Sequence, residues 1–562
     1  MTSVTERGTE APAFLPGLMQ PTPLVLHAVF ERMRTIYGDT RVAGPEGVFT
    51  YAELGERILR LCRVLVEELD VRPGDRVATF GFNSVRHFEL YWAVPLVGAV
   101  LHTVNVRLFP EQIAQIVGHA GDKVLFFDGE VADRLGDVDG LGIVEQWVRM
   151  QPGGDAALPT LTPEVREYED LLAACPDPIG ALPDVPEDAA ANLCYTSGTT
   201  GMPKGVLQSH RSLWLHAMAA CMADHLALTQ HDTVLPIVPL FHACGWGMPY
   251  AAPFTGAGLV FHGSDSFPAN VARLIREHRV TVGAAVPTIW KELLPLLRSG
   301  DADLSTVRGI YVGGSATPRP LAEAYGAHGI DMVQIWGMTE TGPLACVSQP
   351  RRHHGRDVRG DALYAIKEKT GTIMSGLEAR VVGETGEAVP WDGETVGELE
   401  VRGPWIAAAY YNDPIGSVEK LHDGWLRTGD MAWMERDGTF RIVDRAKDLV
   451  KSGGEWISSV ELEGALLGHP AIRDAAVVGL PHPKWDERPV AFVVADGHGP
   501  GQEPTVESVH AFLADKVAKW WLPDAVVVVE EIPKTSVGKI DKKVLRAAWE
   551  ARAGELFGIR EG

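Results

Sequence analysis

The chain has 562 residues, of which 46% are hydrophobic and 22% charged, the composition of an ordinary globular protein. Its 51 Lys and Arg residues against 74 Asp and Glu residues give a formal net charge of −23. Nucleic acids and anionic membranes are polyanions, so this charge argues against a surface built for either of them. Any anionic ligand must therefore be held by local donors against an unfavourable overall field. At about 150 residues per domain, the length allows three or four structural units.

Cysteines are few and show no metal-binding or redox pattern. None of the six belongs to a CxxC pair, and their spacing fits no metal-ligand set. Reduced, mostly buried thiols and a cytoplasmic location are therefore expected. The polar N-terminus has no apolar segment of a secretory signal. The longest apolar stretch, residues 90–101, is shorter than the ~20 residues that a membrane-spanning helix needs.

The first half of the chain alternates helix-like stretches with short apolar runs, from residue 24 to about residue 297. The spacing of apolar residues predicts a helix over residues 51–69. Short apolar runs at 76–82, 122–129 and 281–287 are typical of buried strands. Helices that alternate with such strands indicate α/β layers.

The character of the sequence changes over residues 370–444. Strand patterns at 370–382, 397–403 and 438–444 are separated by turn signals rich in Gly, Asp and Glu. We therefore predict a β-rich subdomain of about 75 residues here.

A charged connector, DRAKDLVK at 444–451, precedes a small α+β unit. Ser458 and Glu461 have the spacing of a capping box that opens a helix at Ser459–Leu467. Residues 475–480, 489–495 and 525–532 are predicted strands, and residues 509–521 a predicted amphipathic helix. The chain thus divides into a large N-terminal domain (1–444), a connector (445–451) and a small C-terminal domain (452–562).

The segment Tyr195–Gly205, YTSGTTGMPKG, carries the strongest chemical signal. Glycines allow backbone N–H groups to curl around an anion, hydroxyl groups add donors, and Lys204 supplies a positive charge. The segment therefore predicts a loop that binds phosphate, although its spacing does not match the Walker pattern. A flexible surface loop is the alternative interpretation.

These residues resemble the adenylate-forming superfamily of acyl-CoA synthetases, luciferases and amino-acid adenylation domains. The resemblance continues in the family's order through a set of short motifs. They are FH at 241–242, GGSA at 313–316, QIWGMTE at 334–340, WLRTGD at 425–430, DRAKDLVKSGGEWIS at 444–458 and PKTSVGKIDKK at 533–543. The chain is most similar to bacterial medium- and long-chain fatty acyl-CoA synthetases, a branch that includes 3-methylmercaptopropionyl-CoA ligases.

The resemblance implies a reaction in two halves. A carboxylate attacks the α-phosphorus of ATP to give an acyl-adenylate and pyrophosphate, and the thiol of coenzyme A then displaces AMP. Glu340 and the Thr196 hydroxyl are implied to hold Mg²⁺, a cation that prefers hard oxygen ligands. Thr339 is implied to reach the α-phosphate.

The resemblance also assigns a nucleotide-binding set. Gly314 and Trp336 are implied to face the adenine, although most relatives have Tyr at the position of Trp336. Asp430 is implied to accept both ribose hydroxyls, with Arg445 as a second ribose contact. The full set is Thr196, Ser197, Gly198, Thr199, Thr200, Lys204, Ala243, Gly314, Gln334, Ile335, Trp336, Thr339, Asp430, Arg445, Lys447, Lys451 and Trp456.

Lys539 resembles the lysine that enters the site for adenylation in this family. The connector is then a hinge about which the small domain rotates. That rotation withdraws Lys539 and brings the Gly453–Gly454 loop to the coenzyme A side. A moving domain explains how one compact site can host two chemistries. The fold implied is α/β, with a large N-terminal domain of several subdomains and a small mobile α+β domain.

His242 opens an uncharged stretch, FHACGWGMPYAAPFTGAGLVFH. Amino-acid adenylation domains have Asp at this position, and an unpaired Asp beside an acyl chain is costly to bury. His242 therefore favours an acid without an α-amino group. Trp246 resembles the residue that gates the acyl tunnel, and Gly245 and Gly247 are expected to open the pocket.

Three alternatives stay open at this point. The acid is a medium- or long-chain fatty acid, or else a short thioether or aryl acid such as 3-methylmercaptopropionate. A free-standing adenylation enzyme that loads a carrier protein is a different class of function. A luciferase-like oxygenase shares the same motifs. Close relatives often form homodimers, and no nucleic acid or integral membrane partner is expected.

Overall fold

The computed structural model describes residues 19–136, 140–153, 164–196, 202–355, 357–453, 455–496, 504–534 and 540–557. In the first part of the chain, helices alternate with short strands, as the sequence predicts. These elements are α1 (Leu26–Ile36), β1 (Arg41–Gly44), β2 (Gly47–Thr50), α2 (Tyr51–Arg63), β3 (Arg76–Phe80), α3 (Val85–Leu96), β4 (Val100–Thr103), α4 (Pro110–Ala120), β5 (Asp122–Asp128), α5 (Asp133–Gly136), β6 (Gln146–Gln151), β7 (Val165–Glu167) and α6 (Tyr168–Ala174).

Helix α2 shows why the pattern at 51–69 predicts a helix. Thr50 and Glu53 form a reciprocal capping box at its start. Leu54, Ile58 and Leu61 recur at helical spacing and are fully or almost fully buried. The predicted helix covers both α2 and a π-helical segment, Val64–Glu68, which continues it.

The next part of the chain also alternates helices and strands. These elements are β8 (Ala190–Tyr195), β9 (Gly205–Ser209), α7 (His210–Ala220), β10 (Thr233–Pro236), α8 (Met248–Thr255), β11 (Gly258–Val260), α9 (Pro268–His278), β12 (Val282–Ala285), α10 (Pro287–Ser299), β13 (Gly309–Val312), α11 (Arg319–Gly326), β14 (Asp331–Gly337) and β15 (Leu344–Val347).

The region predicted to be β-rich consists mainly of strands. Its elements are α12 (Gly360–Lys367), β16 (Gly371–Ile373), β17 (Glu378–Val382), β18 (Gly397–Arg402), α13 (Pro414–Lys420), β19 (Leu421–His422), β20 (Trp425–Met434) and β21 (Thr439–Arg445). The single strand expected over 370–382 is divided, because a turn closed by Leu377 N–H to the Met374 carbonyl (3.0 Å) separates β16 from β17.

The last part of the chain has its own small sheet. Its elements are β22 (Val450–Ser452), β23 (Glu455–Ile457), α14 (Ser459–Leu466), β24 (Ile472–His482), β25 (Asp486–Ala495), α15 (Val506–Leu513), β26 (Ala525–Val528), α16 (Lys542–Trp549) and α17 (Ala553–Leu556). The helix expected over 509–521 is wrong beyond Leu513, since only a 3₁₀ turn, Lys519–Trp521, follows α15.

The Ser458 cap is present but does not form a full capping box. The Ser458 hydroxyl accepts the Glu461 N–H (3.1 Å), and it donates to the Val443 carbonyl (2.6 Å). The Glu461 carboxylate lies 3.9 Å from Arg441. The cap therefore attaches α14 to the end of the preceding sheet.

Two large sheets form the N-terminal part of the described structure. The first has the order β7-β6-β5-β3-β4-β8-β9 and is parallel except for β9. The second is parallel from β1 through β11, β10, β12 and β13 to β14. Beyond β14 its strands are antiparallel and continue into the β-rich region. The predicted α/β class, with a smaller C-terminal domain, is confirmed.

Asn83, just beyond β3, ties the two large sheets together. Its side-chain amide donates to the carbonyls of Pro236 (2.8 Å) and Val238 (2.9 Å) at the end of β10. Its side-chain carbonyl accepts the Leu240 N–H at 2.8 Å. Asn83 is 1% exposed, so these bonds are shielded from water. The segment that leads to His242 is therefore fixed by a residue of the other sheet.

An aromatic core lies between these sheets. Trp92 of α3 packs against Phe30 (ring centroids 6.1 Å apart) and edge-on against Tyr250 (5.4 Å). The Tyr250 hydroxyl donates to the Tyr91 carbonyl at 3.0 Å.

All six cysteines are unpaired thiols and five are buried, as expected. None of the described helices is both long enough and apolar enough to cross a membrane.

A buried polar cluster links the small sheet to the β-rich region. Asp444, at the end of β21, accepts the Ser459 N–H of α14 at 2.7 Å. Lys542 of α16 lies 2.7 Å from Glu463 and also contacts Ser459. Burial raises the pKa of Glu463 to about 6, and the adjacent Lys542 ammonium opposes that effect.

We predict that Asn83→Ala destabilises the protein by about 3 kcal/mol, because it deletes three buried hydrogen bonds and leaves backbone groups unsatisfied. Chemical denaturation measures the change. Asn270→Ala is the control, since Asn270 makes its hydrogen bonds at the surface. Equal losses in the two variants would contradict the role of Asn83 as a junction.

Candidate active site

A cleft of about 850 Å³ lies where strands of both large sheets end. Ligand sites of α/β proteins form at the carboxyl ends of parallel strands, and β8, β13 and β14 all end here. Eleven of the residues singled out from the sequence line this cleft. They are Thr196, Lys204, His242, Ala243, Trp246, Gly314, Ile335, Thr339, Glu340, Arg445 and Lys447.

The base of the predicted phosphate loop is closed by two hydrogen bonds. The Thr196 N–H donates to the Lys204 carbonyl at 2.9 Å, and the Lys204 N–H donates to the Thr196 hydroxyl oxygen at 3.0 Å. Both residues continue the hairpin of β8 and β9. Ser197, Gly198, Thr199 and Thr200 lie outside the described residues.

The Lys204 ammonium lies close to a carboxylate and an aromatic ring. Its Nζ is 3.7 Å from the Asp413 carboxylate and 4.8 Å from the centre of the Tyr410 ring. The side chains of Lys204 and Asp413 are each about one-third exposed, so both reach the open cleft. An ammonium placed in this way is accessible to an anion that enters the cleft.

Tyr410 also fixes Glu340, the predicted metal ligand. Its hydroxyl donates to Glu340 Oε1 at 2.6 Å, and the Glu340 carbonyl accepts the Ala407 N–H at 2.8 Å. Burial, followed by the neighbouring Glu340 charge, raises the pKa of Tyr410 far above its ordinary value. Tyr410 is therefore a permanent donor, and Glu340 keeps a fixed position in the cleft wall.

Thr339 and Glu340 belong to a 3₁₀ turn, Thr339–Thr341, directly after β14. Thr339 does not cap a helix, because Met338 occupies the cap position and Thr341 hydrogen-bonds to Met338. Both Thr339 and Glu340 are less than one-tenth exposed yet border the cleft. Their side chains are thus presented from a rigid turn.

The predicted ribose contact, Asp430, is held by two partners. Arg445 Nε lies 2.6 Å from Asp430 Oδ1, and Trp336 Nε1 donates to Oδ2 at 2.9 Å. The indole at position 336 therefore orients this carboxylate, a role the sequence did not suggest.

Gln334 accepts the Thr317 N–H at 2.9 Å and so fixes the loop after Gly314.

Lys447 reaches the cleft from the connector, next to Arg445. Burial, with a smaller contribution from the Arg445 charge, lowers the pKa of Lys447. Two cationic side chains thus converge at the edge of the cleft where Asp430 is fixed.

The apolar end of the cleft is formed by an unusual turn. Ala243, Cys244, Gly245, Trp246 and Gly247 all have positive φ angles. Trp246 is only 7% exposed, and its indole lies against Gly313, which Ile335 also approaches. Gly245 and Gly247 lie behind this wall, where a Cβ atom would meet Leu240 and His216 respectively. These glycines shape the turn and do not line the pocket directly.

The structure does not bring every predicted residue to the cleft. Lys451 and Trp456 pair in the hairpin of β22 and β23, with the ammonium 4.8 Å from the indole, and Gly453 lies at its turn. Gly454 and Lys539 lie outside the described residues.

Several lining residues escaped the sequence analysis, including Tyr410, Asp413, His119, Pro343 and Leu344. Tyr410 is 70 residues away from Glu340, so no local spacing relates the two. His119 accepts or donates a 2.7 Å hydrogen bond with Tyr195, 76 residues along the chain. The run YYND at 410–413, with Asn412 at φ +50°, signals a turn and nothing more specific.

The cleft combines three chemical environments. Ammonium and guanidinium groups can neutralise phosphates, buried hydroxyl and carboxylate oxygens suit a hard cation, and an apolar end suits a hydrocarbon tail. A nucleotide and an acid could therefore meet between the phosphate loop and Trp246.

Comparison with known proteins agrees with this arrangement. Residues 30–411 match the family model described as AMP-binding enzyme, and residues 461–539 match the AMP-binding enzyme C-terminal domain. The chain is 43% identical over 546 residues to a long-chain-fatty-acid–CoA ligase of Thermus thermophilus, covering 95% of this chain and 97% of that one.

Two other relatives are 40% identical. They are a 3-methylmercaptopropionyl-CoA ligase of Ruegeria pomeroyi (94% of this chain, 98% of that one) and a medium-chain-fatty-acid–CoA ligase of Ectopseudomonas oleovorans (94% and 97%). The crystal structure of an anthranilate CoA ligase with anthranoyl-AMP is similar, with a TM-score of 0.82, 25% identity and coverage of 95% and 99%. The chain belongs to the AMP-binding enzyme family and is an ATP-dependent, AMP-forming carboxylate–CoA ligase, as the motifs indicated.

Proposed function

We propose that the acid is a medium- or long-chain fatty acid, which the enzyme converts to its acyl-CoA thioester through an acyl-adenylate. The observation that carries this proposal is the apolar end of the cleft, lined by Trp246, Ile335, Pro343 and Leu344 beside the phosphate loop. A hydrocarbon tail gains free energy on entering such a pocket, whereas an α-ammonium group would be left unpaired there. The names of two relatives at 40–43% identity point to the same substrates.

A short thioether acid is the second candidate. A relative at 40% identity is a 3-methylmercaptopropionyl-CoA ligase, and Trp246 lies directly against Gly313. With the indole in that position, Trp246 closes the apolar end of the cleft in this proposal. The two candidates differ in whether Trp246 moves aside when the acid binds.

In the adenylation step, phosphate charge must be neutralised while a second anion approaches the α-phosphorus. We assign Lys204 and the described Thr196 to the triphosphate, and Thr339 to the α-phosphate. Lys204 is suited to this role because Tyr410 and Asp413 keep its ammonium at the cleft. Ser197, Gly198, Thr199 and Thr200 complete the loop in this proposal.

The residues present fit a Mg²⁺ ion. Glu340 is buried, lines the cleft and keeps one carboxylate oxygen bonded to Tyr410, so the other oxygen can serve as a metal ligand. Glu340 and the Thr196 hydroxyl would hold the ion, as hard oxygen ligands do. When bound, it would neutralise charge on the phosphates.

The nucleoside would lie between Gly314 and the Asp430 carboxylate. Trp336 and Arg445 hold Asp430 ready to accept ribose hydroxyls, and Gln334 and Ile335 border the base. Most adenylate-forming enzymes have a phenol where Trp336 stands, and here the indole N–H orients the carboxylate instead. His242 and Ala243 would face the junction of acid and nucleotide.

We further propose that residues 1–444, 445–451 and 452–562 act as domain, hinge and lid. Backbone bonds support a division inside the connector. The Ala446 N–H donates to the Gly429 carbonyl (2.9 Å), whereas the Lys447 carbonyl accepts from Arg546 of α16 (3.3 Å). Rotation at this point would exchange Lys539 for the Gly453–Gly454 loop, with Lys451 and Trp456 carried on the lid.

The homodimer and the cytoplasmic location stay predictions.

The substrate proposal predicts a clear preference in a panel of acids from ~3 to ~16 carbons. Medium- or long-chain acids should give the highest kcat/KM for pyrophosphate release. When coenzyme A is also present, the enzyme should release AMP. A preference for 3-methylmercaptopropionate over octanoate would select the second candidate. Adenylation without AMP release upon addition of coenzyme A would indicate transfer to a carrier protein.

Glu340→Gln should raise the Mg²⁺ concentration for half-maximal pyrophosphate release at least about tenfold, because it removes a charged oxygen ligand. Titration of Mg²⁺ at saturating ATP measures the shift. Glu400→Gln is the matched control, since Glu400 is a buried carboxylate paired with Arg380. An unchanged titration in Glu340→Gln would remove Glu340 from the metal site.

Lys539→Ala should slow adenylation by about a hundredfold or more, the effect of losing one positioned charge. Thioester formation from supplied acyl-AMP should survive. Lys534→Ala is the control, because Lys534 is a nearby lysine that pairs with Asp474 at 3.6 Å. Equal loss of both half-reactions would mean that Lys539 has a structural role.

A further inference from the structure

The apolar end of the cleft has two walls that come from distant parts of the chain. The first is the left-handed turn Ala243–Gly247, which carries Trp246. The second is the segment Pro343–Leu344, between the Thr339–Thr341 turn and β15. An acyl chain between them would contact both, so their separation decides which chains fit.

One buried side chain touches both walls. His216 of α7 is 1% exposed, and its Nε2 accepts the Leu344 N–H at 3.2 Å. The edge of the same ring lies against Gly247, where an added Cβ would be 2.5 Å from the imidazole Cε1. Since real Cβ atoms do not approach other atoms this closely, the ring and the glycine are in tight contact. His216 thus acts as a spacer between the two walls.

Leu344 is fixed from its other side by Trp405. The indole Nε1 of Trp405 donates to the Leu344 carbonyl at 3.2 Å, and Trp405 lies edge-on to the His216 ring, with centroids 6.3 Å apart. Both backbone polar groups of Leu344 are therefore bonded to buried side chains. A backbone segment held in this way has little freedom to shift.

The imidazole of His216 is a stable spacer at working pH. Burial lowers the pKa of His216 to about 3, so the ring is neutral at any pH near 7. Because Nε2 accepts the Leu344 N–H, the ring proton resides on Nδ1. The ring therefore has one tautomer and one orientation.

We propose that His216 is a positioning residue that fixes the distance between the Trp246 turn and the Leu344 segment, and that it thereby determines the acyl-chain selectivity of the ligase. The proposal rests on the proposed function of the cleft. It assigns no contact between His216 and the substrate, and Trp405 serves as its partner on Leu344.

The test compares wild type with His216→Ala across the acid panel, measured by pyrophosphate release. The substitution removes the spacer, so the preferred acid should lose at least about tenfold in kcat/KM, the penalty of misplacement near the reacting atoms. Selectivity should move toward longer or bulkier acids. KM for ATP should stay within about twofold, because the described contacts of His216 with the cleft walls are to Leu344 and Gly247 at the apolar end.

Two conservative variants separate spacing from general damage. His216→Gln keeps an acceptor of similar reach and should restore most of the wild-type selectivity. Trp405→Phe keeps a smaller aromatic ring but removes the indole N–H that donates to the Leu344 carbonyl, and it should shift selectivity in the same direction as His216→Ala. These two variants decide the question if His216→Ala does not fold.

His210→Gln is the matched control. His210 lies on the same helix, is fully buried, accepts the Leu26 N–H at 3.3 Å, and has its pKa lowered by burial to about 4. It borders neither wall, so its substitution should leave the ratio of kcat/KM values between acids unchanged.

An unchanged ratio between acids in both His216→Ala and Trp405→Phe would overturn the inference, as would an equal shift in His210→Gln. Either result leaves the proposed function intact. Absence of pyrophosphate release from wild type with every acid would instead contradict the proposed function itself.

Discussion

The position of the cleft depends on the hydrogen bonds that the side-chain amide of Asn83 makes between the two large sheets. Asn83 follows β3 of one large sheet and bonds three backbone groups between Pro236 and Leu240, at and just beyond the end of β10 in the other. The carboxyl ends of β8, β13 and β14 consequently face one space, where a loop from each contributes side chains. Neither sheet could form this cleft alone, because the phosphate loop follows one sheet and Glu340 follows the other. A buried three-bond junction is resistant to water and sets both distance and angle.

The cleft must attract anions into a protein whose net charge is −23. In our proposal it does so with a few cations, Lys204, Arg445 and Lys447, each placed beside a carboxylate or another cation. Tyr410 links two functions, because it hydrogen-bonds to Glu340 and offers its ring to Lys204. A group that enters the cleft thus exchanges partners with side chains already oriented, which reduces the reorganisation that catalysis requires.

The same principle extends to the apolar end and to the connector. His216 and Trp405 immobilise Leu344 with two hydrogen bonds, and the turn that carries Trp246 rests on the same imidazole. At the connector, bonding partners change from the large sheet to α16 within two residues. The backbone at the apolar end is therefore held by buried side chains, while the connector that we propose as the hinge lies at the rim of the cleft.

The sequence by itself determined the α/β class, the β-rich region, the smaller C-terminal domain and eleven residues that line the cleft, because each of these features is carried by neighbouring residues in the chain. It failed where local spacing carries no information. The helix expected at 509–521 ends at Leu513, and the glycines expected to open the pocket lie behind its wall. Only the tertiary structure joined Tyr410 to Glu340, Trp336 to Asp430 and His216 to Leu344, pairs that are 70, 94 and 128 residues apart. Such pairs depend on how the two sheets are packed, and packing is a property of the whole chain, which no short motif encodes.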